Sequence, residues 1–451
     1  MIRRPTAAAL AGLLAALPLA PLAAAGAPRA DYPRILPMRE RAQLINGWLK
    51  ERLETVAPRL MRERGIDMWV IVARENFEEP VAATMLNAES LLARRRTILV
   101  FFDRGPGQPV ERLTVSRYGL GGLFEPAWSP EAQPDQWARL AELIAERNPK
   151  KIAIHSSRLT AFGDGMTLSA YEEMMAALPP SFRDRVVREE VLPVRWLETR
   201  TPAEMARYGE IVRIAHAIIG EGLSDKVITP GVTRTSDVVW WFRDRISQLG
   251  LSTWFQPSVA ISRRGVADTL SGDTVIEKGD LVWTDFGITY LRLNTDTQQN
   301  AYVLRDGETE APKGLRDALA ANNRVQDALT SSFKTGLSGN QVLATARAKA
   351  IAAGLDPSIY THPLGYHGHA AGTAIGFWDN QNGDPRGEYP IHKDTAWSIE
   401  LSATVPIPEW GGQKIALKTE EDAFFDGERV SYIDGRQTDL YLIGGSASGR
   451  K

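Results

Sequence analysis

Residues 281–287 read Leu-Val-Trp-Thr-Asp-Phe-Gly, an apolar, strand-like run that carries one acid, Asp285. Burying a lone carboxylate is costly unless the group is paired with a cation or bound to a metal. Eleven residues later, Asp296 opens the next strand-like stretch. Acids so placed on adjacent antiparallel strands can face each other across the ladder, where like charges repel unless a cation lies between them. The spacing therefore predicts a strand pair with a cation site, although these residues alone also allow a pair of exposed hairpin acids.

The six histidines of the chain are unevenly distributed, since four of them lie between His362 and His392. Residues 362–369 read His-Pro-Leu-Gly-Tyr-His-Gly-His. A histidine in a glycine-rich, polar turn is poorly explained by core packing. Three of them within eight residues favour a ligand or an acid–base role for this segment.

Two further strand-like segments carry acids in the same half of the chain. Glu400 lies inside the apolar pattern of residues 397–401, and Glu420 and Glu421 lie inside that of residues 416–425. An edge-strand acid, or a solvated charge run, is the alternative interpretation for each. Four carboxylates and one imidazole suit two divalent metal ions, and oxygen-rich ligation favours Mn²⁺, with Co²⁺, Fe²⁺ or Zn²⁺ as alternatives. A water that bridges two such ions is acidified to a nucleophilic hydroxide near neutral pH.

On these motifs the sequence resembles the creatinase/aminopeptidase P/methionine aminopeptidase superfamily, the pita-bread metallopeptidases. The shared features are the acid pair, the His-x-x-Gly-x-x-x-His element at 362–369, the Gly-Asp lead-in at 279–280 and the helix start Thr-Pro-Ala-Glu at 201–204. The resemblance implies an α+β fold. It places a C-terminal pita-bread domain, a duplicated α-β arrangement with an antiparallel sheet, at 197–445 and an N-terminal creatinase-like α/β domain at 31–195.

The N-terminal domain resembles the family only by its layout. Helical patterns such as residues 46–64 and 136–147 alternate there with strand-like patterns at 67–72, 96–102 and 151–154.

The resemblance also implies a set of metal ligands. Asp285 would chelate one metal ion, Asp296 and Glu420 would bridge both ions, and His362 and Glu400 would hold the second.

Two catalytic residues follow from the same resemblance. Glu400 would accept a proton from the attacking water, and His369 would stabilise the oxyanion. Two alternatives stay open at this point. His369 lies in a Gly-His-x-x-Gly element and competes with His362 as the ligand histidine, and Glu421 competes with Glu420 as the last ligand.

The implied reaction is metal-dependent release of N-terminal residues from short peptides, most often before proline. Proline-specific members carry two substrate histidines that are missing here, where the corresponding positions fall in residues 266–270 and at Ser358. Proline preference therefore stays open. Two alternatives remain: a pita-bread enzyme with non-peptide chemistry, such as a creatinase-like C–N hydrolase or a lyase, and a non-catalytic binding module on the same fold.

The composition excludes several other classes of site. The 451 residues include no cysteine, which excludes disulfides, thiolate nucleophiles and cysteine-ligated zinc. Lys+Arg number 53 and Asp+Glu 55, for a formal net charge of -2, so overall charge does not support nucleic-acid binding. The resemblance leaves a homodimer open.

The N-terminus predicts an export signal. Arg3 and Arg4 precede an apolar run over residues 7–22, and three alanines at 23–25 supply small residues for cleavage. We therefore expect a signal peptide at 1–25, a periplasmic or secreted mature protein, and no membrane anchor after cleavage.

Overall fold

The computed structural model describes residues 32–444. The predicted signal peptide lies outside these residues. Among the helices of the described part, none is both long and apolar enough to cross a membrane.

A mixed six-stranded sheet organises the N-terminal half. Its strands run in the order β4-β3-β2-β1-β5-β6, with β1 antiparallel to β2 and parallel to β5. The central strands are buried on both faces, which is why they read as continuous apolar runs. The strands are β1 Met68–Arg74, β2 Arg96–Phe102, β3 Glu111–Thr114, β4 Glu125–Pro126, β5 Ile152–Ile154 and β6 Val186–Arg188.

Six helices accompany this sheet. The first begins at Met38, eight residues before the apolar periodicity that predicts it, because its first turns carry mostly polar side chains. The helices are α1 Met38–Arg64, α2 Pro80–Met85, α3 Gln136–Arg147, α4 Leu168–Ala177, α5 Pro180–Arg183 and α6 Val191–Glu198.

The second half begins with the helix start predicted at residues 201–204. The Glu204 backbone N–H donates to Thr201 Oγ1 (3.3 Å), and the Thr201 N–H donates to Glu204 Oε2 (2.8 Å), which completes a capping box. The prediction of this helix start is confirmed. The helices of this half are α7 Pro202–Gly222, α8 Thr235–Gln248, α9 Lys313–Thr330 and α10 Gly339–Ala352.

A nine-stranded sheet forms the framework of the second half. Its main path, β12-β14-β15-β11-β8-β7, is antiparallel throughout, β13 and β16 extend it, and β17 adds a parallel edge to β11. A small hairpin, β9–β10, joins β8 to β11. The strands are β7 Ser258–Ser262, β8 Leu281–Phe286, β9 Thr289–Tyr290, β10 Leu293–Asn294, β11 Thr297–Val303, β12 Pro357–Ile359, β13 His362–Leu364, β14 Thr395–Ile407, β15 Gln413–Phe425, β16 Val430–Tyr432 and β17 Tyr441–Ile443.

The predicted α+β class is confirmed by these two sheets and their helices. Residues 32–444 lie in one compact unit. The division into domains at 31–195 and 197–445 stays a prediction.

A buried ion-pair network links α1 of the N-terminal half to the start of α7. We call it the arginine cluster and define it as Arg52, Arg200, Glu204 and Tyr366. Arg52 Nη1 lies 3.2 Å and Arg200 Nη1 3.7 Å from Glu204 Oε2, and the Tyr366 hydroxyl donates to Glu204 Oε1 at 3.1 Å. Both guanidinium groups also lie over the Tyr366 ring, at 5.1 and 4.6 Å from its centroid. Because Tyr366 belongs to the histidine segment 362–369, the cluster ties that segment to both halves.

Candidate metal centre

The acids of the second sheet meet because of strand register. Asp285 on β8 is paired with Gln298 on β11, Gln298 with Glu420 on β15, and Glu420 with Glu400 on β14. Directly opposed residues of an antiparallel ladder point to the same face. The register therefore places Asp285, Glu420 and Glu400 in one row across four neighbouring strands.

Asp296 and His362 complete this cluster from neighbouring segments. His362 Nε2 lies 3.5 Å from Asp296 Oδ2, 3.5 Å from Glu420 Oε1 and 3.9 Å from Glu400 Oε2. Three sets of potential ligand atoms lie within 4.8 Å of one another: Asp285, Asp296 and Glu420; His362, Glu400 and Glu420; and Asp296, His362 and His369. The structure thus brings together the five ligands that the resemblance implies.

Burial and mutual repulsion disturb the protonation of this cluster. Burial raises the pKa values of Asp285, Asp296 and Glu400 well above their ordinary range, and the carboxylate of Glu420 raises them further. For His362, burial lowers the pKa, but Glu420 and Glu400 outweigh it, so the pKa is raised. Ionisation of the whole cluster is therefore unfavourable unless cations bind among its carboxylates.

The polar atoms of the cluster are oriented for a metal. His362 Nδ1 donates to the carbonyl of Pro363 (3.0 Å), which turns Nε2 toward the acids. His362 Nε2, Asp285 Oδ1 and Asp296 Oδ1 are buried without a hydrogen-bond partner among the described residues. Such unpartnered atoms are costly unless a ligand occupies the space between them. The donor set, carboxylate oxygens with one imidazole nitrogen, fits hard or borderline divalent ions.

Gln298 is a part of the site that the sequence analysis missed. Its amide nitrogen donates to Glu400 Oε1 (2.6 Å) and to Glu420 Oε2 (2.7 Å), and its amide oxygen accepts from Trp283 Nε1 (3.0 Å). It holds one oxygen of each glutamate, while the other oxygens, Glu400 Oε2 and Glu420 Oε1, lie 3.9 and 3.5 Å from His362 Nε2. Its only signal in the sequence is its position two residues after Asp296, near the start of the strand-like stretch.

His369 lies beside the ligand cluster. Its ring is 4.6 Å from that of His362, 5.2 Å from Trp254 and 5.9 Å from Tyr360, measured between centroids. Burial and the neighbouring His362 lower the pKa of His369 to about 4. Because His362 lies close to three acids and His369 shares a set only with Asp296 and His362, the geometry favours His362 as the ligand.

Glu421 does not reach the cluster, which corrects its inclusion among the candidate ligands. Successive side chains of a strand point to opposite faces, and Glu421 faces away from the row that holds Glu420. Its Oε2 lies 2.9 Å from His216 Nε2, and its Oε1 accepts from Gln299 Nε2 (3.1 Å) and the Gln437 backbone N–H (2.8 Å). All of its acceptors are thus used on the opposite side of the sheet.

Residues 204–419 match a family model that is described as "Metallopeptidase family M24". This match covers just under half of the chain and includes the segments that carry the candidate metal centre, apart from the last residues of β15. The chain is accordingly an enzyme of the metallopeptidase class, and the pita-bread fold that the sequence predicts is confirmed. No curated protein sequence matches the chain.

Solved structures share the fold over 85–90% of this chain. An X-Pro aminopeptidase from Thermotoga maritima MSB8 is 17% identical, covers 85% of this chain and 99% of its own, and has a TM-score of 0.61. The dipeptidase PepE from Mycobacterium ulcerans is 17% identical over 88% of this chain and 98% of its own, with a TM-score of 0.56. A Xaa-Pro dipeptidase from Bacillus anthracis is 16% identical over 90% of this chain and 100% of its own, with a TM-score of 0.55. At identities this low, the structural likeness shows a shared fold and nothing more.

Proposed function

We propose that this M24 enzyme uses two divalent metal ions, with Mn²⁺ as the first choice, to release N-terminal residues from short peptides. The observation that carries the proposal is the row of Asp285, Glu420 and Glu400 across four strands, closed by Asp296 and His362, with unpartnered ligand atoms at its centre.

The ligand roles follow from the three sets of neighbouring atoms. Asp285 and Asp296 would hold one ion, and His362 and Glu400 would hold the other. Asp296 and Glu420 have ligand atoms close to both groups of residues. When bound, such ions polarise a peptide carbonyl and lower the pKa of a coordinated water.

The chain's own residues supply the proton transfers and the binding of developing charge. Glu400 accepts a proton from the attacking water at its carboxylate and delivers it to the departing amine nitrogen. Gln298 keeps the Glu400 side chain in place through its 2.6 Å hydrogen bond to Oε1. His369 donates a hydrogen bond to the carbonyl oxygen as this atom becomes negative in the tetrahedral intermediate.

The proposal covers peptides with and without proline at the second position. Relatives of the same fold bear names that specify proline. In this chain the position of one substrate histidine is Ser358, which is paired with Ser402 on β14. A hydroxyl group in place of an imidazole weakens the expectation of strict proline specificity.

The test is cleavage by metal-stripped protein that is reloaded separately with Mn²⁺, Co²⁺, Fe²⁺ or Zn²⁺. Each form is given matched Xaa-Pro and Xaa-Ala dipeptides and tripeptides. We expect activity to return with metal, to fall at least a hundredfold in Asp296→Ala, and to persist in Glu421→Gln, whose side chain lies on the other face.

Other outcomes would favour the alternative functions. Two bound ions without cleavage of any peptide would favour non-peptide chemistry, either C–N hydrolysis or elimination. Absence of metal binding would contradict the ligand assignment and favour a binding module.

We also propose that the protein is exported, on the basis of the basic and apolar pattern of residues 1–25. Cell fractionation and N-terminal sequencing test this proposal. A mature protein in the cytoplasm that still begins at Met1 would contradict it. Sedimentation of the mature protein would distinguish a monomer from the homodimer that the family resemblance leaves open.

A further inference from the structure

A large cavity opens directly onto the two histidines of the candidate site. Its volume is about 660 Å³, and its lining includes His362 and His369. Cavities that bind small molecules commonly measure about 300–1,000 Å³, so this one has room for a short peptide. Both halves of the chain line it: Leu159, Val191 and Val194 from the N-terminal half, and Phe377 and Tyr389 from the second half.

An aromatic wall leads from the metal cluster into this cavity. The Tyr360 ring lies 5.4 Å from His362 and 5.9 Å from His369, and Phe377 stacks on Tyr360 at 5.5 Å between centroids. The apolar surface therefore begins next to the reacting centre. A side chain attached close to the cleaved bond would meet these rings first.

Two of the charged residues that line the cavity are already engaged within the protein. Arg386 Nε lies 2.8 Å from Asp384 Oδ1, and its guanidinium group rests 3.8 Å above the Phe377 ring. Glu388 Oε1 accepts a hydrogen bond from Asn340 at 2.5 Å. Glu190, at the start of α6, is the third charged residue of the lining. Most of the remaining lining is apolar or aromatic, so burial of apolar surface dominates what this cavity can bind.

We propose that the cavity binds a bulky apolar side chain of the substrate residue adjacent to the cleaved bond. The preferred substrates are then short peptides with leucine, phenylalanine or tryptophan at that position rather than alanine or glycine. This inference rests on the proposed peptidase function and specifies its substrate class.

The N-terminal half contributes to this specificity through Leu159. Leu159 is 71% exposed although it is large and apolar, and it lies at the cavity. Leu168 of the same half is 72% exposed and lies outside the cavity lining, so it is a matched control. Because both side chains are exposed, replacing either one by aspartate leaves the core packing unchanged.

The experiment measures kcat/KM for metal-loaded protein on peptides that carry Gly, Ala, Leu, Phe or Trp on either side of the cleaved bond. We expect a rise of about tenfold to a hundredfold from Ala to Phe at one of the two positions. Leu159→Asp should reduce kcat/KM at least fivefold more for the Phe peptide than for the Ala peptide. Leu168→Asp should change neither.

The controls separate this inference from the function on which it rests. Cleavage of every peptide at similar rates would overturn the inference and leave the peptidase function intact, as would equal losses for Ala and Phe peptides in Leu159→Asp. Failure of the metal-loaded protein to cleave any peptide would contradict the peptidase function, and the inference with it.

Discussion

Two carboxylates of this protein are almost equally buried, but their pKa values are shifted in opposite directions. Glu204 is 0% exposed and Asp296 is 3% exposed. Burial opposes ionisation of Glu204, but Arg200 and Arg52 outweigh it, so the pKa of Glu204 is lowered. At Asp296, burial and the neighbouring acids Glu420 and Asp285 act in the same direction, so the pKa is raised well above its ordinary range.

The difference shows which buried charge serves the structure and which serves a ligand. The arginine cluster contains its own cations and connects α1, α7 and the histidine segment. The metal cluster collects acids that repel one another until cations from solution bind between them. Glu421 lies between the two cases, because its neighbouring cation is a histidine and not an arginine: His216 Nε2 lies 2.9 Å from Glu421 Oε2.

Removing a cation from the arginine cluster should have the largest effect. In Arg52→Ala, Glu204 stays buried with one guanidinium group fewer, and we expect the free energy of unfolding to fall by about 3–5 kcal/mol. Denaturant unfolding measures this loss. Arg59→Ala on the same helix is the control, because Arg59 pairs with Glu63 at the surface and should cost less than about 1 kcal/mol. Equal losses in the two variants would contradict the structural role of the cluster.

Adding cations to the acid cluster should stabilise it. At a free Mn²⁺ concentration about 100 times the dissociation constant, we expect a gain of about 2.7 kcal/mol in the free energy of unfolding. Thermal unfolding during a Mn²⁺ titration measures the gain. Glu420→Gln should lose most of it, whereas Glu421→Gln, one residue further along β15, should keep it. Equal stabilisation of the two variants by Mn²⁺ would contradict the placement of Glu420, and not Glu421, in the metal cluster.

Removing an acid from the metal-free cluster should also stabilise the protein, by a smaller amount. The raised pKa of Asp285 means that the folded state binds its proton more tightly than the unfolded chain. Stability is therefore lost as pH rises above the unfolded pKa of about 3.9. We expect metal-free Asp285→Asn to exceed the wild type by about 1–2 kcal/mol at pH 7.5 and by much less at pH 4. A variant that is less stable than the wild type at both pH values would contradict the repulsion argument.

His216 provides the most pH-sensitive effect. Burial lowers its pKa, but Asp434 and Glu421 outweigh burial and raise it to about 10. The stabilisation that protonated His216 provides is complete below its unfolded pKa of about 6.5. It is lost as pH rises through the pKa of His216 in the folded protein. Because one unit of pKa shift corresponds to about 1.4 kcal/mol, the stability difference between wild type and His216→Gln should be several kcal/mol larger at pH 6 than at pH 10.

Arg213→Gln is the matched control for this pH dependence. Arg213 pairs with the same Asp434 at 2.9 Å, but its own charge does not change between pH 6 and pH 10. Its effect on stability should be nearly the same at the two values. An equal pH dependence in both variants would contradict the assignment of this pH dependence to His216.

Sequence patterns were most informative where the physical cause is local. The capping box of Thr201 and Glu204 depends on residues three positions apart, and the structure contains it as predicted. The strand that carries Asp285 is recognised from its own apolar residues and spans Leu281–Phe286. In both cases neighbouring residues suffice to determine the conformation.

The same patterns could not identify residues whose role depends on distant pairing. Gln298 joins Glu420 across 122 positions, and Arg52 joins Glu204 across 152 positions. Alternation along β15 shows that Glu420 and Glu421 face opposite sides, but it does not tell which side carries the site. The register with Gln298 makes that choice.

The sequence by itself determined the apolar strands, the acids and histidines within them, and the resemblance to the metallopeptidases. These properties depend on the residues of one segment, because secondary-structure propensity and hydrophobic periodicity act over a few positions. Only the tertiary structure decided that Glu420 and not Glu421 faces Asp285, that Gln298 holds the two glutamates, and that Leu159 borders a cavity at His362. Strand register and the packing of the two halves decide these contacts, because the free energy of pairing comes from segments that are far apart in the chain.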